Sequence, residues 1–361
     1  MRTLGSAFFE RSSDARNNFM LVRLIAASLV IYGHSFAFST DDGTPEFFSH
    51  YLGYRYAGDV GVNIFFVVSG FLITASFCHR QNIRAFLTSR AIRIYPALFA
   101  FVAITALVFG PLFTRLSPGD YFGSATFWTF IFNNLTMVNY YGDLPVEFTG
   151  SQFPNSVAGV LWTIVIEIRL YILIAMIGVL GLLRYRVAAT VVLLMVLLIP
   201  VTYGLNRFLI FSNWEHARLT ALFCIGALLY VNRAAVPLHP VIFAVLALAT
   251  ALSNGAVYTH MFTASLVYGV FCFAFAPKID MPVWLQDYSY GIYLYGWIVQ
   301  QLVHYQFPEL GPIAAFGLSL PLATACGALS WYIVEKPALA LKKKGVKANA
   351  NATEGAQPLS P

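Results

Sequence analysis

Long apolar runs recur along the whole chain between short polar stretches. A hydrocarbon core about 30 Å thick takes about 20 apolar residues of helix to cross. That ruler predicts about ten transmembrane helices, near residues 19–38, 60–78, 94–113, 160–182, 187–205, 218–232, 239–253, 258–276, 289–307 and 311–333. The predicted fold class is an all-α polytopic membrane protein with both termini in the cytoplasm. It divides into a cytoplasmic N-terminal segment (1–16), a membrane domain (17–341) and a disordered cytoplasmic tail (342–361).

Two stretches break the pattern. Residues 114–157 are too aromatic for a solvated loop and too broken by Asn, Gly and Pro for a span. A re-entrant or interface-lying element is expected, because irregular backbone at membrane depth is tolerated only where protein or a watery cavity receives it. The tail after Leu341, KKKGVKANANATEGAQPLSP, is small and polar, and its lysines suit anionic headgroups of the bilayer.

Composition agrees. Of 361 residues 58% are apolar and 11% charged, with mean hydropathy +0.69, whereas soluble domains run near a quarter charged. Cytoplasmic loops retain Lys and Arg. With the N-terminus inside, sixteen of the 22 Lys and Arg residues fall in inner segments, four in outer ones, and Arg23 and Arg169 within spans. The formal charge of +6 therefore reflects topology and makes no case for nucleic acid. No small-x-small cleavage site follows the first run, which is read as a mature span. The four cysteines lack disulfide or metal-ligand spacing and are expected to pack. No internal repeat marks an inverted-repeat transporter.

Candidate chemistry begins in the first run, NNFMLVRLIAASLVIYGHSFAF, which carries Arg23 and His34. Eleven residues turn a helix by about 1100°, so the two share a face, roughly 16 Å apart along the axis. Arg23 alone could snorkel to the headgroups. An imidazole deeper in the membrane more often faces a cavity or a partner, and its pKa near neutrality lets it take and return a proton. In SRAIRIYPAL, Arg90 and Arg93 lie one turn apart, a pair suited to phosphate, although inner arginines also follow from topology alone. Pro96 is expected to start the third span.

The second run, GDVGVNIFFVVSGFLITASFC, combines packing glycines with Asn63 and Ser69, candidates to line the same cavity as His34. In LWTIVIEIRLYIL, Glu167 and Arg169 are about 200° apart and cannot pair directly, so each needs another partner or water. A structural ion network is the plain alternative. Trp162 precedes them at the outer interface. No G-x-S-x-G elbow, Walker loop, H-E-x-x-H or Cys/His cluster is present, and no metal is expected.

Together R-x10-H, GVNIFFVVSGFLIT, SRAIRIYPAL, LWTIVIE, SYGIYLYGWIV and WYIVEKP resemble the bacterial integral-membrane acyltransferase family 3, surface-glycan O-acyltransferases, in order and over residues 17 to about 340. The resemblance implies a catalytic His34 with Arg23 and an acyl-CoA-binding pair in Arg90 and Arg93; Trp162 and Glu167 match the family's Trp-Thr-x-x-x-Glu element, and EIRLY is similar to the form seen in exopolysaccharide-modifying members. Ser69 and Gly70 match the family's Ser-Gly. Asn63 stands where many members have Asp, and Gly296 where many have His before Trp297.

The implied reaction moves acetyl from acetyl-CoA, used as a co-substrate with no tightly bound cofactor, to a hydroxyl of an exported glycan. The site would lie in the inner membrane, in association with polysaccharide biosynthesis machinery. His34 would act as general base or transient acyl carrier, and Glu167 would orient a proton or a hydroxyl. Asn63, Ser69, Trp162 and Arg169 are cavity-lining candidates. A proton-coupled glycan or lipid transporter, or a structural partner of an export complex, are the competing readings.

Overall fold

The computed structural model describes residues 2–11, 16–39, 42–198 and 214–341. The predicted tail 342–361 lies outside them. The described chain is helical, with no strand and only two isolated bridges, Thr3–Pro237 and Asp143–Ser156.

Helix α1 (Leu4–Glu10) is short and capped by Thr3; α2 (Phe19–Phe38) and α3 (Ala57–Arg80) follow. Helix α4 (Ile83–Ile104) runs through a π-helical turn (Thr105–Phe109) into α5 (Gly110–Phe113). Next come α6 (Pro118–Gly123), α7 (Ala125–Thr136), α8 (Leu161–Val179), α9 (Arg186–Leu198) and α10 (Trp214–Val231). The chain continues with α11 (Pro240–Ala251), α12 (Gly255–Ala274), α13 (Ser289–Gln306) and α14 (Pro312–Ser330), the last passing into a π-helical turn at Trp331–Glu335. Each apolar run singled out in the sequence holds a helix over its described residues; residues 199–205 of the run 187–205 lie outside them. Among the described residues six are long and apolar enough to cross a membrane: 19–38, 57–80, 83–113, 161–179, 255–274 and 312–341.

The third span starts earlier than the expected Pro96. Asn82 caps it by accepting a hydrogen bond from the Ala85 amide, and Pro96 falls inside the helix. A side-chain cap satisfies the first orphan amides, so the helix begins there, eleven residues before the apolar stretch. Arg84, Arg90 and Arg93 are thereby part of α4.

Close approach between helices rests on glycine. A Cβ at Gly70 would strike the Phe223 carbonyl and one at Gly226 the Val67 carbonyl, so α3 and α10 touch backbone to backbone. In membranes such small-residue contacts replace the hydrophobic drive that lipid cannot supply. Helices α2 and α13 are held side by side by Gln300, whose Nε2 donates to the Ile31 carbonyl (2.8 Å) and Ser35 Oγ (2.9 Å).

The irregular backbone after α7 folds back on itself and onto α13. Leu144 N donates to Asn155 O, Phe148 N to Pro154 O and Val157 N to Gly142 O, while Gln301 Nε2 reaches Phe153 O and Trp297 Nε1 reaches Ser156 O. Protein, not lipid, thus satisfies this backbone, as the aromatic segment 114–157 requires.

Gly226→Val drives a branched side chain into the α3 backbone, and overpacking of this kind costs about 1–3 kcal/mol or more. A clearly lower thermal midpoint of the detergent-solubilised protein is expected. Gly317→Ala, where an added Cβ meets no atom within 4 Å, is expected to leave the midpoint unchanged or slightly raised.

Candidate active site

A cavity of about 540 Å³ opens among α2, α3, α4, α8, the start of α13 and the π turn after α14. One end is cationic. Asp287, just ahead of α13, accepts from Arg23 Nη2 (2.8 Å) and Arg93 Nη2 (3.1 Å) on one oxygen and from Ser289 Oγ (2.6 Å) on the other. Arg93 Nη1 also reaches Glu335 Oε2 (3.0 Å), and the guanidinium lies between the rings of Tyr290 and Trp331. Planar delocalised charge between two π faces and two carboxylates is an arrangement Arg serves and Lys does not.

Burial works against the Asp287 carboxylate, but the Arg23 and Arg93 guanidiniums outweigh it and hold its pKa down to about 2. Arg90, one turn from Arg93, differs from both. Its Nε donates to Ser89 Oγ (3.2 Å), and among the described residues it pairs with no carboxylate. Among the described residues it is the guanidinium in the wall that forms no ion pair, with Glu167 acting on it only at longer range.

Farther in, Glu167 on α8 accepts from Ser69 Oγ (2.9 Å) and Tyr171 OH (2.5 Å). Tyr171 is one turn along the same helix, so the shelf is built by i, i+4 spacing plus one contact from α3. The opposite end of the cavity is apolar, lined by Val62, Phe65, Phe66 and Ile164, and ends at Thr163 and Tyr293, whose hydroxyls lie 2.6 Å apart.

His34 lies outside the cavity, beyond Tyr293. Its ring meets Trp297 edge-on (5.1 Å) and lies 6.2 Å from Tyr56. Trp297 is one turn past Tyr293 on α13 and packs with Phe38 and Phe153. Burial, helped by Asp59, pushes Tyr56 up to about 12, which keeps it a neutral phenol beside the imidazole.

Of the residues singled out in the sequence, the cavity unites Arg23, Ser69, Arg90, Arg93 and Glu167. The other four candidates lie elsewhere. Asn63, expected to share a cavity with His34, is buried against α10, where its carbonyl accepts from Arg218 Nη1 and its amide donates to Tyr54 OH (3.3 Å). It belongs to a network in which Arg218 and Arg55 each pair with Asp59 and Glu215. Six residues separate it from Ser69, about 120° around α3, so the two face different neighbours.

Trp162 stacks on His216 (5.8 Å, 11° between planes). Arg169 donates to the Val138 carbonyl (2.7 Å), tying α8 to the loop after α7. Both are rotated from Glu167 by more than a third of a turn, which takes them off the cavity wall.

Sequence reasoning passed over Asp287, Glu335, Tyr171 and Tyr293. Asp287 sits two residues before SYGIYLYGWIV, Glu335 lies inside WYIVEKP, and Tyr171 is one turn from Glu167. The missing signal was the need of each intramembrane arginine for a carboxylate.

Residues 16–332 match the model of a family described as an acyltransferase domain. Nodulation protein 10 of Rhizobium leguminosarum bv. viciae is 30% identical, over 92% of this chain and 96% of that protein. An O-acetyl transferase of Shigella phage Sf6 is 27% identical, over 89% of this chain and 95% of that protein. No solved structure matches the chain.

Asp287→Asn removes the only carboxylate on Arg23 and one of two on Arg93 among the described residues. Because the folded pKa is depressed below the ordinary 3.8 to about 2, the stabilisation is fully present above about pH 4 and is lost as pH falls through 2. The variant is therefore expected to melt below wild type by a similar margin at every pH from 5 to 9. A margin that vanishes at pH 5 contradicts this assignment.

Proposed function

The chain belongs to the integral-membrane acyltransferase family 3, and we propose that it transfers acetyl from acetyl-CoA to a hydroxyl of a cell-surface or exported glycan. One observation carries the proposal: a single cavity joins a guanidinium that has no ion pair among the described residues to a hydroxyl-held carboxylate in its wall, and the helix that brings Arg23 to the cavity bears His34 farther along. The phage relative's name, an O-acetyl transferase, supports ester formation as the chemistry.

In this reading Arg90 takes a CoA phosphate, its fork matching two oxygens. Arg23 and Arg93, balanced by Asp287 and Glu335, shape the mouth and its field. Glu167 accepts an N–H of the donor's pantetheine arm or orients a proton beside it. Among the described residues the His34 ring nitrogens have no hydrogen-bond partner, which leaves them free to act.

His34 serves as general base. It takes the proton of the sugar hydroxyl as the oxygen attacks the thioester carbonyl carbon; the C–S bond breaks, and the departing thiolate accepts a proton. The donor is cytoplasmic, so the cationic mouth is assigned to the cytoplasmic side and His34 to the far side. Ten spans in a bacterial inner membrane, with both termini in the cytoplasm, is the topology that the apolar runs and the Lys and Arg distribution of the sequence support. Partners are the bilayer, the glycan and the machinery that exports it.

The test is the O-acetyl content of envelope and extracellular glycans, by proton NMR before and after mild alkali, in a deletion strain complemented with each variant. Wild type is expected to restore acetyl signals. His34→Ala, losing a proton-transfer group worth about 10² to 10⁴ in rate, restores essentially none at equal protein level. Arg90→Lys is expected to raise the acetyl-CoA concentration needed for half-maximal rate, and Glu167→Gln to lower the rate. Acetylation unchanged by the deletion overturns the acetyl-glycan assignment.

A further inference from the structure

Tyr293 stands where the cavity stops. Its hydroxyl is 2.6 Å from Thr163 Oγ1 and 3.3 Å from the Val160 carbonyl, and Thr163 Oγ1 reaches that same carbonyl at 3.0 Å. Phe65 meets its ring edge-on at 5.7 Å. On its far side the ring packs against the cluster of Phe38, Val160 and Trp297, and Trp297 is the residue whose edge touches His34. On α13 the residues Tyr290, Tyr293 and Trp297 follow one face at helical spacing, from the cationic mouth to the imidazole.

Two facts make this position decisive. The cavity wall beyond Glu167 is apolar, a lining for a hydrocarbon chain and not for phosphate. His34 is linked to the same ring through Trp297, which belongs to the cluster that Tyr293 packs against and meets the imidazole at 5.1 Å. Along α13 the line from the cationic mouth to the residue that touches His34 runs through the Tyr293 ring, which is fixed at its hydroxyl by two partners on α8 and its N-terminal flank.

We infer that Tyr293 is a specificity-determining residue, a ring whose bulk limits the length of acyl chain that the enzyme transfers. The inference rests on the acyl-transfer reading above. It assigns selection to the ring itself, with the hydroxyl serving to hold the ring across the passage. The reaction is unchanged in kind: the same C–S bond breaks and the same ester forms, with only the length of the acyl group differing.

The test is a competition. Membranes bearing the full chain and its native glycan receive equal acetyl-CoA and butyryl-CoA, and ester-linked acetate and butyrate released by mild alkali are counted. The product ratio is internal to each preparation, so it does not depend on how much variant folds. One methylene in a pocket is worth about 10- to 200-fold in selectivity. Tyr293→Ala is expected to raise the butyrate-to-acetate ratio by at least about tenfold on that scale, and Tyr293→Leu by less in the same direction, the latter standing in if the alanine variant gives no protein. Tyr293→Phe, keeping the ring, is expected to stay close to wild type. A ratio that neither Ala nor Leu moves, or a Phe variant that shifts as far as Ala, overturns the inference while leaving acyl transfer intact. A wild type that esterifies its glycan with neither donor overturns acyl transfer to that glycan, and this inference with it.

Discussion

The cost of holding charge inside a membrane governs this molecule. Asp287 lies ahead of α13, Arg23 on α2 and Arg93 on α4, and one carboxylate oxygen accepts from both guanidiniums. An unpaired ion there costs several kcal/mol, so the three elements are bound into one arrangement, to which Glu335 adds the turn after α14. The remaining features of the cavity are laid out from this knot. Arg90 follows from Arg93 by one helical turn, and Tyr290 and Tyr293 follow from Asp287 along α13.

Pairing also decides what each arginine can do. Arg23 and Arg93 have their charge offset by acids within 3.1 Å and act as fixed walls. Arg90 forms no such ion pair among the described residues. Deeper in, Glu167 is held by two hydroxyls rather than by a cation, an environment suited to exchanging protons or accepting a ligand hydrogen bond. Charge thus falls away along the cavity, from ion pairs at the mouth through one hydrogen-bonded acid to an apolar end. A donor with a polyanionic head and a slender acyl arm has the complementary gradient.

A second framework holds the far side. The stretch after α7 satisfies its own backbone and lends carbonyls to Trp297 and Gln301, so the aromatic surround of His34 is fixed by a loop rather than by helix packing alone. The network of Asp59, Asn63, Glu215 and Arg218 joins α3 to α10 near this level. Polar residues that looked like cavity lining are here the ties that keep the bundle closed.

Much of this was readable in residue order. Run length alone pointed to an all-helical chain with membrane-spanning helices, and 3.6-residue geometry placed Arg23 with His34 and Arg90 with Arg93 on shared faces. The same geometry could have separated Asn63 from Ser69, and Trp162 and Arg169 from Glu167, since about 100° per residue fixes relative direction on a helix. Local rules of this kind depend on neighbours in sequence, and the sequence by itself determined them. Which face meets which is another matter. Arg23 and Asp287 are 264 residues apart in sequence and 2.8 Å apart in space. That contact, the isolation of Arg90 and the ring of Tyr293 between cavity and histidine were decided only by the tertiary structure, because charge pairing and steric closure depend on distances through space that periodicity does not encode.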